Sequence, residues 1–275
     1  AHTYADNGTY SVVVGVTDDD DGIGSNNADH QVGNVAPEIT VLNLDCARIP
    51  EDGVATLSGA IVTKGESDTH EVAIDWGDGS TDSAALDAGA RAFSVSHRYL
   101  DDNPTGTPSD AYTIGVTVSD DDGDSDADTT AVTVENLPPV VDAGPDQMVY
   151  EDATVTLPPA TFTDAGTQDT HTAAIDWGDG MVDTVMVFGM GGSGSVSGVH
   201  VYPDPGTYIV TIAVTDDDDG SGADTMTVKA VHGFLRFCGF AEDANEGVQV
   251  QEGARIVCSL GANGRLDVQK SAAIT

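Results

Sequence analysis

The 275-residue chain carries 47 Asp and Glu against nine Lys and Arg, a formal net charge of −38. A chain this acidic repels phosphate, which excludes nucleic acid and anionic membrane surfaces as partners. The sequence also lacks an apolar run of the roughly 18 residues that a membrane span requires, so membrane insertion is excluded as well.

The same charge opposes compaction, and the physical remedies are high salt, bound cations or both. Asp far outnumbers Glu and falls in runs beside Gly. Short oxygen-bearing side chains on turns suit Ca2+, which takes six to eight oxygen ligands, so calcium is the expected cofactor. The loops do not follow the EF-hand pattern, which needs a Glu at its twelfth position.

Taken in chain order, residues 1–36 hold a His2-x-Tyr4 pair and an alternating strand from Tyr10 to Val16. The turn Asp18-Asp19-Asp20-Asp21-Gly22 and a linker, Asn34-Val35-Ala36-Pro37, follow. Residues 37–136 bring the acidic segment Glu66 to Asp68, then Asp75-Trp76-Gly77-Asp78-Gly79 and His97-x-Tyr99. They end on a strand from Tyr112 to Val118, the turn Asp120-Asp121-Asp122-Gly123 and a linker that starts at Asn136.

Residues 137–231 repeat the plan at an offset of 101 residues for the Trp segment, now Asp176-Trp177-Gly178-Asp179-Gly180. His200-x-Tyr202, the strand from Tyr208 to Val214 and Asp216-Asp217-Asp218-Asp219-Gly220 close the unit. Period-two alternation of β-branched residues in Thr113–Val118 and Ile209–Val214 marks strands, and no window shows a helical apolar stripe. Short strands separated by Gly and Asp turns over about 100 residues predict a two-sheet β-sandwich per unit. Trp76 and Trp177, one per unit at one strand position, are the expected core anchors. Asp78 and Asp179 are read as turn formers.

These residues resemble PKD-type domains. The resemblance rests on the two Asp-Trp-Gly-Asp-Gly segments, the His-x-Tyr pairs and the Tyr-led strand before an Asp-rich turn, and it covers about residues 1–231. It implies an all-β fold of tandem immunoglobulin-like sandwiches in an extracellular or cell-surface protein. It further implies a role in adhesion, spacing, surface layers or as an accessory module of a secreted hydrolase.

An immunoglobulin-like topology places the loop before the Trp strand and the turn after the Tyr-led strand at one end of each unit, beside the incoming linker. The expected metal residues are therefore Asn34, Asp68, Asp120, Asp121 and Asp122 at the first junction. At the second they are Asn136, Asp164, Asp169, Asp216, Asp217 and Asp218. Glu51-Asp52 and Glu151-Asp152 fall at the opposite end and face the next junction.

Residues 1–36 contain only the last strands of a unit, and two or three strands cannot bury a core alone. The remainder lies upstream in a longer chain or comes from another subunit. The second option builds a head-to-tail filament of identical chains. Residues 232–275 lose the Asp runs, and their loose Gly-strand pattern at Gly247–Ile256 and Gly264–Ile274 resembles rungs of a bactofilin-like β-solenoid. A small β-cap tied by Cys238 and Cys258 is the other reading, with Cys46 left over. The chain opens on Ala1 within a motif, as a processed product or a piece of a longer polypeptide does.

Five of the seven His occupy repeated positions, which points to structural roles, and the motifs of nucleophilic, zinc or phosphate-loop catalysis are missing. The expected function is non-enzymatic: a subunit of an extracellular filament or surface layer, with an adhesin stalk or a carbohydrate-binding accessory module as the alternatives. The expected partners are further copies of the chain and a surface polysaccharide or protein.

Overall fold

The computed structural model describes residues 2–103 and 105–233. Every regular element among them is a β-strand. The tail readings, including the solenoid rungs and the Cys238–Cys258 pair, lie outside the described residues.

Residues 37–136 form a two-layer sandwich. One sheet runs in the order Arg48–Pro50, Ser125–Glu135, Ser109–Asp120, His70–Asp75 and Thr81–Leu86. The facing sheet holds Glu38–Leu44, Val54–Val62 and Ala92–Arg98. The short strand Arg48–Pro50 pairs parallel to Ser125–Glu135, and the other pairings are antiparallel.

Residues 137–231 repeat the five-stranded sheet as Gln147–Tyr150, Ser221–Val231, Gly206–Thr215, Thr172–Asp176 and Val182–Val185. Their second layer is more broken, with Val140–Asp142, Ala160–Thr163, Ser193–Val196 and Val187–Gly189 in one sheet and Thr154–Thr156 paired with Val199–Val201.

Alternation builds each core. In Ser109–Asp120 every second side chain from Tyr112 to Val118 points between the sheets and is buried. Trp76 and Trp177 are fully buried at the centre of the two cores, as the sequence predicts. Tyr99 and Tyr202 reach across to donate a hydrogen bond to the backbone carbonyl of the Trp, at 2.9 and 2.8 Å. The intervening His stacks on the indole, with centroids 4.8 Å apart for His97 and 4.7 Å for His200. Its Nε2 lies 2.7 Å from Asp78 in one unit and 2.8 Å from Asp179 in the other.

Asp78 and Asp179 also accept a backbone N–H two residues on, so the predicted turn role and the His contact share one carboxylate. Gly77 and Gly178 adopt φ of 83° and 76°, and a Cβ at either would strike the backbone of the neighbouring Tyr-led strand. The Asp-Trp-Gly-Asp-Gly spelling thus follows from one core anchor and one tight exit.

Residues 8–32 form a lone antiparallel hairpin, Gly8–Thr17 with Ile23–Val32. Its register matches the last hairpin of each full unit: Tyr10 faces His30 as Tyr112 faces Val132 and Tyr208 faces Val228. Val12, Val14 and Val16 are 44%, 59% and 65% exposed, whereas Ile114, Val116 and Val118 at the same positions are at most 1% exposed. Among the described residues, the hairpin has the apolar face of a sandwich without the opposing sheet.

Candidate metal centre

The linker from Asn136 leaves strand Ser125–Glu135 and enters the next unit, and acids from both units converge around it. From the end of the first unit come Glu51, in the turn after Arg48–Pro50, and Asp101 and Asp102, just past Tyr99. From the start of the second come Asp164 and Asp169, in the loop between Ala160–Thr163 and Thr172–Asp176, and the turn Asp216 to Asp218.

Backbone bonds fix the two halves together. Leu137 N–H donates to Glu51 Oε1 at 2.8 Å, and Thr167 N–H donates to the Leu100 carbonyl at 3.2 Å. Within the second unit, Thr170 N–H donates to Asp217 Oδ1 at 2.8 Å. The loop of Asp169 folds so tightly that a Cβ at Gly166 would fall on the Asp169 carboxylate.

Four sets of side chains each place one ligand atom per residue within 4.8 Å of the others: Glu51, Asp101 and Asp169; Asp101, Asp102 and Asp218; Asp169, Asp217 and Asp218; and Asp164, Asp169 and His171. That span is about twice a Ca2+–oxygen distance, so each set fits around one such ion. Asp102 is fully buried and neither of its carboxylate oxygens has a hydrogen-bond partner. Glu51 Oε2, Asp101 Oδ1, Asp164 Oδ1 and both oxygens of Asp169 are likewise buried and unpartnered. Buried carboxylate oxygens without donors are costly unless a cation joins them.

The electrostatics agree. Burial, with the charges of Asp164, Asp102 and Asp101, pushes the Glu51 carboxyl up to about 8 against the opposing Leu137 N–H bond. Burial followed by Asp218 and Asp101 raises Asp102 to about 7. Burial followed by Asp101 and Asp217 raises Asp218 to about 6. Asp169 is raised by burial and then by Glu51, Asp101 and Asp164. The one basic neighbour in these sets is His171, whose Nε2 lies 2.7 Å from Asp164 Oδ2.

The first junction follows the same scheme with fewer acids. Ser67 N–H donates to the Ala5 carbonyl at 3.2 Å, and Asp6, Asp68 and Asp122 bring ligand atoms within 4.8 Å. Asp68 is buried, and its carboxyl is raised by burial and then by Asp6, Asp121, Asp120 and Asp122. By position, Asp6 corresponds to Asp101, Asn7 to Asp102, Asp68 to Asp169 and Asp122 to Asp218. Thr63 stands where the second unit has Asp164, and His70, the counterpart of His171, is buried with both ring nitrogens unpartnered.

The PKD domain family model matches residues 136–230. The second repeat is a PKD domain. The first full repeat has the same Trp, His, Tyr and Asp positions on the same five-stranded sheet, so the chain contains PKD-type units in tandem. A PKD domain of an M14-like peptidase from a Thermoplasmatales archaeon is 27% identical; the match covers 34% of this chain and 97% of that one, with a TM-score of 0.29. A tetra-tandem repeat from the extending region of a large adhesion protein is 17% identical, over 82% of this chain and 57% of that one, with a TM-score of 0.48. None of the curated proteins compared matches the sequence. The PKD match indicates no catalytic family. No helix among the described residues is long and apolar enough to cross a membrane.

Within the PKD-type units the acids named from the sequence divide in role. Asp164, Asp169, Asp217 and Asp218 line the second junction, and Asp68 and Asp122 line the first. Asp216 and Asp120 are turned inward to their own turns. Asp216 Oδ1 accepts from the N–H groups of Asp218 and Gly220, and Asp120 Oδ1 accepts from Asp124 N–H. Asn136 clamps that turn by donating to Asp216 Oδ2 at 3.1 Å, and its Oδ1 is left buried and unpartnered. Asn34 donates to Asp120 and Asp124, both at 2.9 Å, and its Oδ1 accepts from Val35 N–H. Asp121 is exposed beside the first junction.

Sequence alone does not single out Asp6, Asp101 and Asp102 as metal residues, whereas Glu51 does face the second junction, as its place at the far end of the first unit predicts. A usable signal existed: each His-x-Tyr is followed two residues later by Asp, at Asp6, Asp101 and Asp204.

Proposed function

We propose that this chain is a load-bearing segment of an extracellular surface protein, a rod of PKD-type units whose junctions are rigidified by Ca2+. The observation that carries the reading is the second junction. There, carboxylates of two successive units meet with buried oxygens that lack any donor. Calcium there joins the units where charge repulsion would otherwise part them. Small-angle scattering of the whole chain in Ca2+ and in EDTA tests it. The expected result is a rigid particle of fixed length in Ca2+ that bends or expands in EDTA, and equal curves in both would refute it.

In the same reading the rod is a subunit of a filament or surface layer, with the exposed face of Val12, Val14 and Val16 covered by strands of another copy. The exposure of positions that both full units bury supports this assembly. An adhesin stalk, or a module that binds surface polysaccharide, is the competing use of the same rod. Negative-stain microscopy separates them: long filaments support head-to-tail assembly, isolated rods support the stalk, and retention on polysaccharide supports the accessory module.

A further inference from the structure

The second junction holds more ligands than one ion can reach. Glu51 and Asp102 share none of the ligand sets, yet each belongs to a set that contains Asp101. One set, Glu51, Asp101 and Asp169, lies toward the linker, where Glu51 also receives Leu137 N–H. The other, Asp101, Asp102 and Asp218, lies toward the Asp-rich turn. A single cation in the first set leaves both oxygens of the fully buried Asp102 without a partner; a single cation in the second leaves Glu51 Oε2 in that state.

Charge gives the same count. Seven carboxylates occupy the linked sets, and His171 is their one basic member. One divalent ion would leave most of that charge uncompensated at a site where four of the seven, Glu51, Asp101, Asp102 and Asp218, are buried, and two ions bridged by a shared carboxylate reduce it further. Bridged divalent ions sit about 3.5–4 Å apart, within the reach of a carboxylate common to both.

We propose that the second junction is a two-calcium cluster bridged by Asp101, and that the first junction, with three carboxylates, takes one further ion at lower affinity. The inference rests on the calcium reading above but makes a separate claim, about number and order. Asn7 in place of Asp102 and Thr63 in place of Asp164 make the first junction the weaker site. As calcium rises, the rod then stiffens first between the two full units and later at the hairpin.

The test is to count ions on the full chain by equilibrium dialysis with radioactive Ca2+ and by native mass spectrometry. Two tight ions and one weaker ion are expected. Glu51→Gln and Asp102→Asn should each remove one tight ion and leave the other, while Asp68→Asn removes the weak one. Circular dichroism on every variant checks that it is folded, and if one fails to fold, the wild-type count still decides. One tight ion in the wild type, or loss of both ions with either variant, would overturn the cluster while leaving calcium clamping intact. No bound calcium in the wild type would overturn both.

Discussion

Replacing Asp102 with Asn should act in opposite directions with and without calcium. Asp102 is fully buried, both its oxygens lack partners, and it lies beside Asp101 and Asp218. Its carboxyl is raised from 3.8 to about 7 in the folded chain, chiefly by burial and then by Asp218 and Asp101. A folded pKa above the unfolded one means that ionisation opposes the docked state. The penalty is absent below pH 4, grows between 4 and 7 and is complete above 7. Three units correspond to on the order of 4 kcal/mol. Asn removes that penalty but leaves a buried amide without assured partners, which costs about 1–3 kcal/mol.

In EDTA at pH 8 the variant should therefore be more stable than the wild type by about 1–3 kcal/mol, the difference of those two quantities. For a unit of this size that is roughly 5–20 °C in the thermal midpoint. In millimolar calcium the sign reverses, because Asn forfeits a charged ligand. A tight ion present at about a thousand times its dissociation constant supplies about 4 kcal/mol of ligand-linked stability, and its loss outweighs the gain of about 1–3 kcal/mol seen without calcium. Differential scanning calorimetry in the two buffers, with scattering to follow docking, provides the readout. If Asp102→Asn destabilises the protein equally in EDTA and in calcium, the carboxylate is an ordinary structural group and the reasoning fails.

Other outcomes follow from the same geometry. Calcium binding at pH 7 should release protons, because Glu51, raised to about 8, and Asp102, raised to about 7, hold protons in the cation-free state. Calorimetric titration in buffers of different ionisation enthalpy measures the release, and affinity should rise from pH 6 to 8. Tyr202→Phe removes the buried hydrogen bond to the Trp177 carbonyl and should lower the midpoint of the second unit by several degrees, for a loss of about 1–2 kcal/mol, without changing the ion count. Gly178→Ala should destabilise that unit more, since φ is 76° and the Cβ would meet the backbone of Ile209. Thr63→Asp should give His70 a carboxylate partner and tighten calcium at the first junction, read as a lower calcium midpoint for the weak ion.

The cores were legible in the sequence because their signals are local. A Trp in a strand, a His-x-Tyr pair and an alternating run each report on a side chain's own element, and Trp76, His97 and Tyr99 meet as their spacing implies. The junction was half legible for the same reason. Asp164, Asp169 and Asp218 belong to loops already marked by the repeat, and Glu51 is expected at the far end of the preceding unit, whereas Asp101 and Asp102 come from that far end without such a mark. Only the path of the linker brings them into reach.

Nor does a run such as Asp216 to Asp219 say which member does what. The first acid is spent on the N–H groups of its own turn, the third points to the junction, and the fourth adopts a positive φ of 67°. Identical letters take different roles because the turn rotates each side chain in a different direction.

The comparison of the two junctions separates docking from stiffening. Both use a loop N–H donating to the carbonyl just past the Tyr of a His-x-Tyr pair, at 3.2 Å in each case. Both also use a linker Asn to clamp the Asp-rich turn. These neutral contacts set where one unit sits on the next, and they are common to both junctions. The acids differ: three in the ligand set at the first and seven at the second. Repulsion among them opposes docking, increasingly with their number, and a cation reverses that term by an amount that also grows with their number. Geometry held by the backbone and stiffness held by charge can therefore vary independently along such a rod. A substitution such as Thr63→Asp tests that separation, because it adds charge at a junction whose backbone contacts it leaves in place.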